Sequence, residues 1–570
     1  MNYLSRDLPF GSPFISSGAP SLADVLVRLE QVKDLKATRR RDLRSAVKSI
    51  GTLLDRRLEE IPANINWLHV RLRRVNPAAH KKSKKRFANI KSDALRALEL
   101  TGCSRSRSDW LRRPTPTWKT LLDQISDKHD LWKLSQFAQY CSALEIVPRK
   151  ITDTDVRGFL NTLIEESFVN RPEHVAVYVV KTWNRLRGEI PDWPKIELSE
   201  LPRKRVPWTI PLERFPQSFQ DDVDRWLDRL ANPDLLDGSG PMRPLRPKTI
   251  KHRRFQIREM ASALVKSGIA KEEVNSLGVL VEFTNFKSAL RLMMSRFEDK
   301  PTEAIHGLAV GIKAIAQHHV KVSDDQLTEL KELCGRLNLE VDGLREKNRV
   351  RLLQLDDPNN LANLLQLPEV LVAKARKPKV KARKAALMVQ AALAIEMLLY
   401  APMRIGNLAS VNLERHVRSI RIKREICTQI HIPGDEVKNS KALDYELGSD
   451  TTKLLEHYLA EARPVLLRDA SDYLFPAQNG GPKSPTGLSR LVNDTIRDEI
   501  GLDINAHLFR SIAVKLHSLA APGDIVTLSH VLNDTLRTTT RAYAQFEQKS
   551  ALEHYQRSVD TARRKARGGK

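Results

Sequence analysis

Helical periodicity constrains this chain more than any other feature. From Ser21 onward the apolar residues recur at three- and four-residue intervals almost without a break, the pattern of amphipathic helices. Sustained alternation appears between Val417 and Ile432, where Ile420, Ile422, Ile426, Ile430 and Ile432 are spaced by polar residues. That period of two predicts a half-buried strand or hairpin. Gly434-Asp435 follows as a turn, and Tyr445-Glu446-Leu447 extends the strand-like region. The expected fold class is mainly α with a small antiparallel β-sheet, the sheet lying in a C-terminal domain behind helical N-terminal units.

The punctuation of the helices suggests domain boundaries. Residues 1–20 are rich in Gly, Ser and Pro and predict a flexible N-terminus. Three stretches then follow one pattern of long helix, short break and further helix: 35–100 with a break at Ile61-Pro62, 131–183 with Ile146-Val147-Pro148, and 246–319. They read as copies of one helical unit. We expect helical unit 1 over 21–110, unit 2 over 111–195 and a third helical domain over 217–340. Pro202, Pro207, Pro211 and Pro216 mark 196–216 as a linker, because proline removes backbone donors and breaks helices. A C-terminal domain over 341–560 and a basic tail over 561–570 complete the division.

Charge narrows the partner. Lys and Arg number 95 against 69 Asp and Glu, a net charge of +26. Such an excess points to a polyanion, most simply nucleic acid, over a chain that is merely basic and soluble. The cations cluster. Lys248, Lys251, Arg253 and Arg254 open one helix, and residues 374–384 hold seven cations in eleven positions, among them Lys377, Lys379 and Lys381. These are candidate DNA contacts, since each neutralised phosphate releases counterions. The alternative is a solvated face or loop. Further basic runs stand at 81–86 and 563–567. The four cysteines are scattered with no CxxC spacing, so neither a zinc site nor a disulfide framework is expected. Reduced thiols, no secretory signal pattern and no apolar run of membrane length predict a cytoplasmic, DNA-associated protein without a membrane.

Five residues carry the chemistry. Arg404 follows an apolar helix, Lys438 lies in a turn between strand-like runs, His507 and Arg510 stand one helical turn apart, and Tyr543 supplies a phenolic oxygen. Arginine keeps its proton and can grip two oxygens, so Arg404 and Arg510 suit the extra charge of a pentacoordinate phosphate. Lys438 suits a general acid, His507 assists proton transfer and Tyr543 suits a nucleophile. Such a site needs no metal or cofactor. Singly, each has a commoner reading as a cap, a solvated side chain or a packing group. A second His-x-x-Arg, at His554 and Arg557, reads as structural.

The order and spacing of the five, with Tyr473-Leu474-Phe475-Pro476 ahead of the second arginine, resemble the tyrosine recombinase (phage integrase) family, of the mobile-element integrase type. The likeness spans about the last 220 residues. It implies a tyrosine recombinase-like catalytic domain, with 217–340 as the core-binding domain that clasps DNA from the opposite side. It implies a site-specific DNA recombinase or integrase working through a 3′-phosphotyrosyl intermediate. Its partner is double-stranded DNA, bound as a homo-tetramer on two sites, with accessory recombination proteins. Length and basicity are similar to recombinases of integrative elements or transposons. Asn407 departs from the family, whose residue three after the first arginine is usually acidic. Pro402 and Met403 replace the usual Gly and Leu. Asp534 stands nine residues before Tyr543, where His or Trp is common, and His530, one turn earlier, is a substitute donor. Other readings are a type IB topoisomerase-like enzyme, an inactive DNA-binding protein of the same fold, and an RNA-binding helical-repeat protein.

Overall fold

The structure is a computed structural model. It describes residues 20–33, 35–105, 107–199, 207–234, 241–339, 344–422, 425–521 and 523–568. Within these, side chains are described except at 107–108, 421–422, 425–426, 541–551, 553–554 and 568. The chain divides into two compact units, residues 202–341 forming one and the segments before and after it the other.

In the larger unit, the N-terminal part encloses two apolar cores. Ser21 caps the helix Leu22–Gln31 through a capping box, its hydroxyl accepting from the Asp24 N–H while the Asp24 carboxylate accepts from Ser21 N–H at 2.7 Å. Leu22, Val25 and Leu29 of that helix pack with Leu43, Val47 and Ile50 of Ala37–Leu54 and with Ile90 and Leu98 of Lys84–Leu100. The second core gathers Trp118, Phe137, Phe159 and Trp183. Two of its indoles are satisfied, Trp118 donating to Ile146 O at 2.7 Å and Trp183 to Ile196 O at 2.9 Å, while the buried indole N–H groups of Trp110 and Trp193 have no hydrogen-bond partner.

The 202–341 unit is built from the helices Gln217–Ala231, Pro247–Lys266, Phe283–Ser295, Glu303–Ile315 and Asp324–Arg336. Phe219, Trp226, Met260, Leu264 and Phe286 lie in its core. Asp222 ties three elements together, accepting from Leu277 N–H at 2.8 Å, from Arg225 at 3.0 Å and pairing with His319 at 2.9 Å. The proline-rich stretch does more than tether: Leu198 is buried in the second core of the larger unit, and Leu212 and Phe215 are buried in this one.

The C-terminal domain is organised around the helix Ala382–Tyr400, buried on nearly all sides. Gln390, which interrupts its apolar run, donates to the Tyr458 hydroxyl at 2.8 Å, and that hydroxyl donates to Leu474 O at 3.1 Å. The expected sheet is present. β1 (Val417–Ile422), β2 (Glu425–Ile432) and β3 (Leu443–Leu447) form an antiparallel meander in the order β1-β2-β3. The helices Pro485–Ile500, Leu508–Ala520 and Ile525–Val531 follow, and then one helix, Leu536–Gly568, runs through the basic segment expected as a tail. Among the described residues no helix is long and apolar enough to cross a membrane.

Candidate active site

Arg404 is placed by the end of the central helix. Ala401 and Met403 are buried and anchor the turn, and Arg404 then caps the short helix Ile405–Ala409, its carbonyl accepting from Asn407 N–H at 2.8 Å. Arg510 lies in the first turn of Leu508–Ala520, between the buried Phe509 and Ile512. Its guanidinium donates to Pro402 O at 3.0 Å and Leu532 O at 2.9 Å, and so joins the turn before Arg404 to the end of the Ile525–Val531 helix.

A carboxylate joins the two arginines. Asp534 Oδ1 accepts from Arg404 at 2.7 Å while Oδ2 accepts from Arg510. The side chains of Arg510, Asp534 and Arg404 are 4%, 12% and 29% exposed, so the buried cation has a buried counter-charge and the second arginine opens to solvent. Arg404 is thus held by an acid 130 residues away, while Asn407, the residue three positions on, keeps its Nδ2 buried without a hydrogen-bond partner.

His507 immediately precedes the Leu508 helix. Its surface is exposed, yet surrounding protein desolvates the imidazole. That desolvation, followed by the charges of Arg510 and Arg404, lowers its pKa, and Asp534 opposes the shift. His507 is therefore electrostatically coupled to the arginines. Lys438 is exposed in the β2–β3 connection. His530 is exposed on the Ile525–Val531 helix. Position 543 falls on the helix Leu536–Gly568, which packs against Leu508–Ala520 and Ile525–Val531; the Tyr543 side chain lies outside the described residues.

The Lys438 turn and the Asp534 turn are clasped by two asparagines. Asn439 Nδ2 donates to Asn533 O at 2.6 Å, and Asn533 Nδ2 donates to Ala442 O at 3.0 Å and Lys441 O at 3.2 Å. Asn533 adopts a left-handed conformation, φ 47°, which asparagine tolerates better than most residues. Tyr445 on β3 donates its hydroxyl to Val531 O at 3.1 Å, and burial pushes its pKa up to about 12 against the influence of Arg510 and Arg404. Sequence reasoning missed Asn439, Asn533 and Tyr445. The one local signal was an asparagine just past a helix end, a position suited to left-handed backbone.

Residues 369–549 match the family model described as Phage integrase family. The C-terminal domain is a tyrosine recombinase domain. Among solved structures, the chain is similar to XerA recombinase, at 14% identity and TM-score 0.22, covering 59% of this chain and 98% of that one. It is similar to a lambda integrase (75–356) dimer bound to a COC′ core site, at 12% identity and TM-score 0.34, covering 58% and 95%. The XerH site-specific recombinase bound to difH substrate matches at 14% identity and TM-score 0.34, covering 57% and 81%. No curated protein sequence matches the chain. The recombinase domain therefore contains the two arginines, the lysine, the histidine and position 543 within the matched span.

The other candidate contacts differ in availability. Lys377, Lys379 and Lys381 are exposed between the helices Leu367–Ala375 and Ala382–Tyr400. Lys248 and Lys251 are exposed on Pro247–Lys266. Arg253 and Arg254 are already engaged, Arg253 donating to Gln256 at 2.8 Å and Arg254 pairing with Asp224.

Proposed function

We propose that this chain cuts and rejoins duplex DNA at specific sites, with Tyr543 as nucleophile. The convergence of Arg404 and Arg510 on the two oxygens of a single carboxylate supports this reading best. Two guanidiniums that grip one carboxylate can grip the two non-bridging oxygens of a phosphodiester, and their attraction grows as the phosphorane gathers charge.

In this mechanism the Tyr543 oxygen attacks phosphorus and bonds to it, and the bond to the 5′ oxygen breaks. His507, kept neutral near pH 7 by its lowered pKa, takes the phenolic proton. Lys438 gives a proton to the departing 5′ oxygen. The product is a 3′-phosphotyrosyl link and a free 5′ hydroxyl, and attack by a 5′ hydroxyl from another strand reverses the chemistry. Each copy carries one such set of residues, so exchange between two duplexes, which opens four strands, calls for four copies. Lys248 and Lys251 on the 202–341 unit, and Lys377, Lys379 and Lys381 in the recombinase domain, would lie along phosphates. The setting we assign is a mobile genetic element.

A suicide substrate made from the element's ends tests the reading. Wild type is expected to give a covalent adduct at the 3′ phosphate that Tyr543→Phe abolishes. An adduct that survives the substitution moves the nucleophile elsewhere. Tight binding with no adduct from either protein favours an inactive DNA-binding protein, a reading that the charge on Asp534 makes specific.

A further inference from the structure

The Asp534 carboxylate stands where the mechanism above needs a phosphate. Both its oxygens are spent on the two arginines, one on each, as the non-bridging oxygens of a phosphodiester would be. A phosphate cannot take those donors while the carboxylate keeps them. If both anions stayed, the carboxylate would cancel much of the charge available to the phosphorane, and like charges would face each other at short range in a partly buried site.

We propose that Asp534 is an internal counter-anion that occupies the oxoanion seat of the DNA-free protein and yields it to the scissile phosphate. The inference rests on the recombinase reading for the identity of the incoming anion. Three features suit an exchange. Arg510 keeps Pro402 O and Leu532 O as acceptors whichever anion is present, so it stays in place when the carboxylate leaves. Arg404 is the more exposed of the two arginines and gives the incoming anion an open side. Asp534 lies in the short connection between the helices Ile525–Val531 and Leu536–Gly568, so its side chain can swing out with neither helix unwinding. Asn533 precedes Asp534 and bonds the Lys438 turn, so the asparagine clasp holds the backbone there while the Asp534 side chain swings.

The full chain without DNA, titrated calorimetrically with inorganic phosphate, reads the seat directly. Asp534→Asn keeps the shape and removes the charge, and is expected to bind phosphate roughly tenfold tighter than wild type. Adding Arg510→Ala to that variant is expected to erase the gain. Phosphate affinity that is unchanged or weaker in Asp534→Asn, with an unchanged melting temperature, overturns the proposal and makes Asp534 a positioning residue for the arginines. Should the Asn variant fail to fold, Asp534→His is read by the same criteria. The covalent-adduct assay separates this inference from the one beneath it. A gain in phosphate affinity without any Tyr543-dependent adduct keeps the anion seat and rejects the recombinase reading. An adduct with no gain in affinity does the reverse.

Discussion

Arg510 is the most constrained side chain of the site, because it is nearly fully buried and its donors serve two carbonyls and a carboxylate in two separate segments. Lysine at this position retains the charge but not the fork, and cannot reach three acceptors in one plane. Arg510→Lys is expected to lower Tyr543-dependent cleavage by about 10²–10³-fold, the cost of one missing oxyanion donor. Single-turnover adduct formation measures this; a loss below tenfold would remove Arg510 from the clamp. His507 adds a pH dependence. Its folded pKa lies below the ordinary 6.5, so the neutral base is retained at neutral pH and lost only as pH falls through the lowered value. The linkage has the same sign: the contribution to stability is full above the unfolded pKa and disappears as pH falls through the folded one. Adduct formation by wild type is therefore expected to hold from pH 7.5 to about pH 6.5 and then decline. His507→Gln should show no such decline. Order and spacing in the sequence singled out both arginines and the histidine as candidates. That Asp534 serves both arginines at once was not legible there, because the position of a carboxylate in the sequence does not say which cations it will touch.

At the scale of elements, local pattern predicted much. The helix that Lys248, Lys251, Arg253 and Arg254 are expected to open runs from Pro247 to Lys266. The isoleucine alternation marks β1 and β2, and the Tyr445 segment forms β3. Both follow from periodicity, which depends only on near neighbours. The proline-rich stretch was harder to read, because proline reports the absence of regular structure and not whether Leu212 and Phe215 find a core. The Asp222 knot was equally invisible. It joins its own helix to the helix start at Leu277 and to His319, 97 residues on. Burial raises the Asp222 pKa, but the Leu277 N–H, His319 and Arg225 together bring it below the usual value of 3.8. Its stabilisation is complete above pH 3.8 and is lost as pH falls through the lower folded value. Asp222→Ala should cost about 2–4 kcal/mol by leaving a buried N–H and imidazole unpaired. Faster hydrogen exchange across residues 217–231 and 277–281 of the full chain is the expected sign. Unchanged protection would show that the knot is not needed for stability.

At the scale of the molecule, the N-terminal helical part and the recombinase domain meet within one compact unit. Asn76 donates to Arg497 O at 3.1 Å and Gly501 O at 2.8 Å, and Lys84 pairs with Asp498 at 2.6 Å. A run of cations that reads as a phosphate contact or a solvated loop thus also serves domain docking. Gly501 ends the helix Pro485–Ile500 at φ +83°, and a Cβ there would lie 2.6 Å from Ala79 N. Gly501→Ala should cost about 1–2 kcal/mol for the backbone conformation alone, with the clash added. Lower melting temperature and faster exchange at residues 76–82 are expected, and neither change would mean that this contact does not hold the two parts together. The sequence by itself determined the secondary-structure classes, the basic character and the order of the candidate site residues, since these are written in composition and in spacing between near neighbours. Only the tertiary structure decided that Arg404 and Arg510 share Asp534, that the Lys438 turn is clasped to Asn533, and that Gly501 meets Ala79. The physical reason is separation along the chain. Positions 130, 94 and 422 residues apart meet only when the cores between them have packed, and no local pattern records which of the many possible meetings that packing selects.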